Sequence, residues 1–184
     1  EYGLDVQVGF IQDIQQPNES FDLITIWHVL EHTEDPFEVL KKLYSLLKPQ
    51  GVLVVEVPSI EGVSQTPKGT FHEAHLYNFN LPTLCKLGEK VGFTEAEHKI
   101  SSDSATITVF FQKPATATAQ QSALAIPGNA ERIIQIVSNH TTFRHYLTAW
   151  PYQRFFRRMG KMIGEKLAVA DFVSGKNLLD KLYG

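Results

Sequence analysis

Cysteine is nearly missing from this 184-residue chain: Cys85 stands alone, which excludes an internal disulfide and fits a reducing cytoplasm. No run of roughly eighteen apolar residues occurs, so no segment reads as a membrane-spanning helix. Glu1-Tyr2-Gly3-Leu4-Asp5 offers neither the basic start nor the apolar stretch of a secretory leader. Internal repeats are absent, and the basic residues lack the interleaved aromatic platform that would predict nucleic-acid binding. With 43% hydrophobic and 20% charged residues, the composition is that of a globular chain with a substantial core.

The formal net charge of -3 hides an asymmetry. Residues 1–128 hold 8 Lys and Arg against 16 Asp and Glu, whereas residues 129–184 hold 9 against 4. The two parts could attract each other, or the basic one could face an anionic partner; a solvated helical surface is the simpler expectation.

The apolar patterning predicts alternating strands and helices. Val6–Ile11 reads as a short strand. Phe21-Asp22-Leu23-Ile24-Thr25-Ile26-Trp27-His28 is apolar at its centre without alternation, as expected of a parallel strand covered on both faces. Asp35-Pro36-Phe37-Glu38 opens a helix, with Asp35 as cap, Pro36 where no amide donor is needed and Glu38 closing a capping box. Lys48-Pro49-Gln50-Gly51 ends it, and Val52–Val57 is a second buried strand. After a polar loop from Ser59 to about Tyr77, Asn80 caps a helix over Leu81–Val91 that Gly92 terminates. Thr94–Ile100 and Ala105–Gln112 form an antiparallel hairpin around Ser101-Ser102-Asp103-Ser104. Cys85 falls among apolar neighbours and reads as core.

Three blocks of residues resemble a known family. Ser20–Pro36 resembles the fourth-strand motif of class I S-adenosylmethionine-dependent methyltransferases. Leu46-Leu47-Lys48-Pro49-Gln50-Gly51-Val52-Leu53 resembles their turn into the fifth strand. His75-Leu76-Tyr77-Asn78-Phe79, with Thr83-Leu84 and Val91-Gly92-Phe93, resembles a later segment. The resemblance spans roughly residues 3–113. It implies an α/β, Rossmann-like sheet ending in an antiparallel hairpin, with S-adenosylmethionine as cofactor and methyl transfer to a small-molecule oxygen or nitrogen acceptor. By the same resemblance the cofactor-lining positions fall on Phe10, Ile11, Gln12, Trp27, His28 and Val29, with plain core packing an equal expectation for Phe10, Ile11 and Trp27. His28 and His75 are the candidate catalytic residues, and His72 could also serve as a base, because imidazole titrates near neutrality.

The family's glycine-rich turn and its ribose-binding acidic residue have no counterpart here, so cofactor binding by this chain alone is not implied. Methyltransferase sheets run 3-2-1-4-5-7-6, and the missing first strand is the neighbour of Leu23–Trp27. That edge is expected to be covered in a longer protein, to recruit Val6–Ile11, or to pair in a homodimer. The alternative to an enzyme is a non-catalytic, methyltransferase-like scaffold.

His28-Val29-Leu30-Glu31-His32 also matches the H-x-x-E-H pattern of inverted zinc peptidases, which needs both histidines within one helix. A second metal option follows from the resemblance, since some quinone-biosynthesis O-methyltransferases hold a divalent cation in this loop. Glu31 and His32 fit part of that pattern, but His28 stands where a carboxylate is expected. An exposed loop without metal is the reading adopted.

The resulting organisation is a partial α/β domain at 1–114, an Ala/Thr-rich linker at 115–128 and a helical segment at 129–184. In the last, one helix runs from about Asn129 towards Leu147 and breaks at Pro151; a second runs from Tyr152 to about Phe172. Its stripe of Phe155, Phe156, Met159, Met162 and Ile163 beside Arg154, Arg157, Arg158 and Lys161 is expected to pack on the α/β domain. Contact with an anionic membrane surface is the alternative.

Overall fold

The computed structural model describes residues 6–71, 73–116 and 125–168; at 154, 157 and 165–168 it describes the backbone alone. Four strands form one mixed sheet: β1 (Phe21–Trp27), β2 (Leu47–Pro58), β3 (Thr94–Ile100) and β4 (Thr106–Gln112), in the order β1-β2-β4-β3. β1 and β2 run parallel with Ile24 opposite Leu53 and Ile26 opposite Val55. β4 pairs antiparallel with both β2 and β3. This is the 4-5-7-6 portion of the expected sheet.

The helix α1 (Pro36–Leu46) makes the parallel crossover from β1 to β2. Asp35 accepts from the amides of Phe37 and Glu38 at 3.0 and 3.1 Å. The expected capping box does not close, because Glu38 turns outward to meet Lys41 at 3.0 Å. The Lys48–Gly51 turn survives as an irregularity inside β2, where the pairing jumps from Phe21–Leu47 to Leu23–Val52. A single helical turn, α2 (Pro67–Thr70), is capped by Thr66 in the long loop. The helix α3 (Leu81–Val91) starts at a reciprocal Asn80–Thr83 box and ends at Gly92, whose φ of 116° suits a residue without Cβ.

Strand pairing sorts the side chains into two faces. Leu53, Val55 and Val57 stand opposite Phe111, Val109 and Ile107. All six are almost fully buried and share one core with Leu40 and Leu43 of α1, Leu84 and Cys85 of α3, and Phe93. The other face carries Leu23, Thr25 and Trp27 beside Val52, Val54 and Glu56. Leu23 is 57% and Trp27 52% exposed. The expectation that β1 is covered on both faces is therefore corrected: both α1 and α3 pack against the Leu53–Val57 side, so only Ile26 of β1 is buried. Trp27 is no core anchor.

Val6–Ile11 is not a strand. The chain from Val6 to Phe10 is irregular and Ile11–Asp13 forms a 3₁₀ turn. An extended segment becomes a strand only through a ladder partner, and among the described residues none flanks it; Val6 and Val8 are 77% and 101% exposed. It does not move in beside β1, whose outer edge stays unpaired among the described residues.

Three helices follow: α4 (Asn129–Asn139), α5 (Thr142–Tyr146) and α6 (Trp150–Ala168). The single helix expected to Leu147 is interrupted at His140, and Thr141 caps the restart by accepting from the Arg144 amide. Pro151 does not break the chain. It occupies the first turn of α6, where its missing amide costs nothing. The expected extension to Phe172 lies outside the described residues.

Polar clamps attach α4 and its C-cap residue His140 to the α/β domain. Asn80 Nδ2 donates to Asn129 Oδ1 at 2.7 Å, Arg132 grips Glu61 with its two terminal guanidinium nitrogens at 2.7 and 2.5 Å, and His140 Nε2 lies 2.7 Å from the Gln65 carbonyl. The Arg132–Glu61 pair is one place where the basic and acidic parts do attract. By contrast, the α6 stripe expected to pack inward stays exposed: Phe155, Phe156, Met162 and Ile163 lie between 53% and 64%.

Candidate functional site

Parallel strands direct their carboxyl ends, and the loops that follow, to the same rim. β1 delivers His28 and the Leu30–His32 turn there, while β2 delivers Glu56 and Pro58. His28 adopts a left-handed φ of 53°, rare for a residue with a Cβ. Two contacts hold it: its amide donates to the Glu56 carbonyl at 2.9 Å, and its ring Nε2 lies 3.3 Å from Glu56 Oε1. Thr108 donates to the other Glu56 oxygen at 2.8 Å, so β4 fixes the carboxylate that fixes the histidine.

Glu31 lies behind His28. Its side chain is 1% exposed, and neither carboxylate oxygen has a hydrogen-bond partner among the described residues. The nearest cationic candidates are His28 Nδ1 at 3.5 Å and His32 Nε2 at 3.7 Å. His32 Nδ1 is 2.8 Å from the Ala74 carbonyl, and its ring meets His75 edge-on with centroids 4.9 Å apart. The Glu31 carbonyl accepts from the amides of Leu76 and Tyr77 at 2.9 and 3.2 Å, tying the post-β1 turn to the later loop.

Two open depressions meet at this rim. One, of about 610 Å³, brings together Phe10, Ile11, Gln12, His28 and Val29. The other, of about 450 Å³, is lined by His28, His32, Ser59, His75, Tyr77 and Asn78. His28 and His32 border both. Five of the six expected cofactor-lining residues are thus neighbours, and both expected catalytic histidines share the second depression. Trp27 lines neither, because strand alternation points it to the open sheet face. Phe10 is 77% exposed, while Ile11 and Val29 pack partly against the core. His72 lies outside the described residues.

Glu56 was not among the candidate residues, and Glu31 entered only through the zinc-peptidase and divalent-cation patterns. A glutamate interrupting the apolar run Val52-Leu53-Val54-Val55-Glu56-Val57 is a readable signal of a partner at the strand's end. The burial of Glu31 has no such signal, since loop carboxylates are ordinarily solvated.

Glu31, His32 and His75 offer ligand atoms all within 4.8 Å of one another. One carboxylate and two imidazoles suit an ion of the zinc class better than a hard cation. The peptidase reading fails on geometry: His28 follows the last residue of β1 and His32 closes a 3₁₀ turn, so no helix holds both.

Residues 3–98, more than half of the chain, match the family described as a methyltransferase domain. This chain belongs to the methyltransferase-domain family. Among curated proteins, this methyltransferase domain is 29% identical over 93 residues to one of Mycolicibacterium smegmatis named as a probable S-adenosylmethionine-dependent methyltransferase; the match covers 49% of the chain and 35% of that protein. A ubiquinone biosynthesis O-methyltransferase of Xanthomonas campestris is 33% identical over 84 residues, with 38% of the chain and 35% of that protein covered. The chain thus spans about a third of the length of these relatives. A solved S-adenosylmethionine-dependent methyltransferase of Thermotoga maritima superposes with a TM-score of 0.50 at 22% identity, over 60% of the chain and 65% of that structure, a likeness of fold.

Proposed function

We propose that this methyltransferase domain forms the acceptor-side rim of a cytoplasmic enzyme that moves a methyl group from S-adenosylmethionine to an oxygen or nitrogen of a small molecule. The observation that carries the reading is the position of His28, which borders both depressions at the shared end of β1 and β2. Transfer requires donor and acceptor held in line from two sides of one boundary.

The residues fit the adenosine end of such a cofactor. A depression of about 610 Å³ with Phe10, Ile11 and Val29 on its walls is of the size and polarity that take a nucleoside-sized ligand. S-adenosylmethionine supplies, when bound, a methyl group already activated on sulfur. Phe10, Ile11, Gln12 and Val29 would flank the nucleoside base and His28 would mark the boundary, with Trp27 displaced onto the sheet face. His75 would take the proton of an acceptor hydroxyl or ammonium, and the Ala74 carbonyl, 2.8 Å from Nδ1, would orient the paired imidazole of His32. The name of the Xanthomonas relative favours an oxygen acceptor.

Isothermal titration with S-adenosylhomocysteine tests this reading, on the chain and on the full-length gene product. Micromolar binding that Ile11→Asp abolishes supports it. Absence of binding by both proteins contradicts it.

A second reading rests on the outer edge of β1, unpaired among the described residues, where Phe21, Leu23 and Trp27 are 37%, 57% and 52% exposed. An apolar strand edge invites another strand, and a non-catalytic scaffold dimerising there would use it. Sedimentation equilibrium separates the two: a dimer broken by Leu23→Lys, with no cofactor binding, favours the scaffold.

A further inference from the structure

We propose that α6 is an interfacial helix through which the protein lies on an anionic lipid surface. At about 100° per residue, Tyr152, Phe155, Phe156, Met159, Met162 and Ile163 fall within an arc of about 120°. All six are exposed, from 41% for Met159 to 64% for Phe156. Most residues in such a stripe are buried in a globular fold; here the stripe is exposed from Tyr152 to Ile163 among the described residues. Only the first turns approach the α/β domain, where Trp150, Gln153 and Phe156 border a crevice with Gln65 and Asp103.

Charge selects the occupant. The α6 sequence holds Arg154, Arg157, Arg158, Lys161 and Lys166 against the single acid Glu165. Arg158 and Lys161 are exposed; by helical spacing Arg158 flanks the aromatic arc and Lys161 lies opposite it. Two α6 helices of a homodimer would bring like charges together, whereas acidic headgroups attract them. Aromatic and methionine side chains can enter the headgroup–acyl boundary while basic residues stay in water among the phosphates. No helix among the described residues is long and apolar enough to cross a membrane, so α6 would lie in the surface plane. Phe143 and Leu147 of the preceding segment are likewise exposed, at 74% and 71%.

Co-sedimentation of the whole chain with vesicles of phosphatidylcholine alone, and of phosphatidylcholine with phosphatidylglycerol, tests the proposal. Partitioning onto the anionic vesicles is expected to exceed that onto neutral ones by about tenfold or more, and to fall several-fold as salt rises from about 0.1 to 0.5 M. Phe155→Glu with Phe156→Glu should abolish it while leaving thermal unfolding of the α/β domain unchanged, and Arg158→Glu with Lys161→Glu should remove the preference for anionic lipid. Equal partitioning onto both vesicle types would overturn the proposal, as would no partitioning at all. So would a dimer that the double phenylalanine variant dissolves in the absence of any lipid binding.

Discussion

His28 and Glu56 are joined twice, amide to carbonyl at 2.9 Å and ring Nε2 to carboxylate at 3.3 Å. The two contacts hold a histidine in a left-handed conformation, φ 53°, at the end of an edge strand. Asparagine tolerates that conformation better than alanine. His28→Ala should therefore lower stability by about 0.5–1 kcal/mol, whereas His28→Asn should unfold close to the unchanged protein. On the proposed reading His28 positions donor and acceptor, so His28→Asn should still reduce the methyl-transfer kcat, by up to about 10²-fold. Thermal unfolding and a methyl-transfer assay on the same two variants check the separation of the roles.

Gly88 is where α3 comes closest to the sheet. A Cβ there would overlap the buried ring of Phe111, itself held against Phe93 with centroids 5.6 Å apart. Alanine gains about 1 kcal/mol of helix propensity over glycine, but overpacking against a ring that cannot retreat costs about 1–3 kcal/mol. Gly88→Ala should be destabilised, with a urea midpoint below that of the parent. An unchanged or higher midpoint would place α3 farther from β4.

Much of this fold was legible. Asp35-Pro36 and Asn80 announced their helices because caps and proline act locally, and Val52–Val57 announced a strand because its length and composition leave no other element. Val6–Ile11 misled because a strand is made by its neighbour, which composition does not report. The α6 stripe misled for a related reason: a helical wheel shows that a face is apolar but not what covers it. At the site, family resemblance brought Phe10, Ile11, Gln12, His28 and Val29 to one place. It raised Glu31 only as part of a divalent-cation pattern and gave no sign of its burial, at 1% exposure.

Cys85 is 8% exposed. Burial, followed by the nearby Glu95 carboxylate, pushes its thiol well above the ordinary range. The thiolate is the reacting species. Cys85 should react with a disulfide reagent at pH 8 on the order of a hundredfold or more slower in the native chain than in guanidinium. Fast native labelling would contradict the packing of α3.

Asp103 anchors the β3–β4 turn. Burial raises its carboxyl, but hydrogen bonds from the Ser101 and Ser64 side chains and the Ala105 amide outweigh this, leaving it below the usual range. A depressed folded-state value stabilises the protein above the unfolded value of about 3.9, and that contribution is lost as pH falls through the folded value. The urea midpoint should therefore decline below about pH 4, and Asp103→Asn should flatten that decline while lowering the midpoint at pH 7. Identical pH profiles would contradict the turn's hydrogen bonding.

The account rests on a single rim serving cofactor and acceptor from opposite sides of His28. Hydrogen exchange on the full-length gene product, with and without S-adenosylhomocysteine, reads this most directly. Protection is expected at Ile11, Gln12, His28 and Val29, with α4 and α6 unchanged. Protection confined to the helical segment, or none near His28 despite saturation, would contradict it.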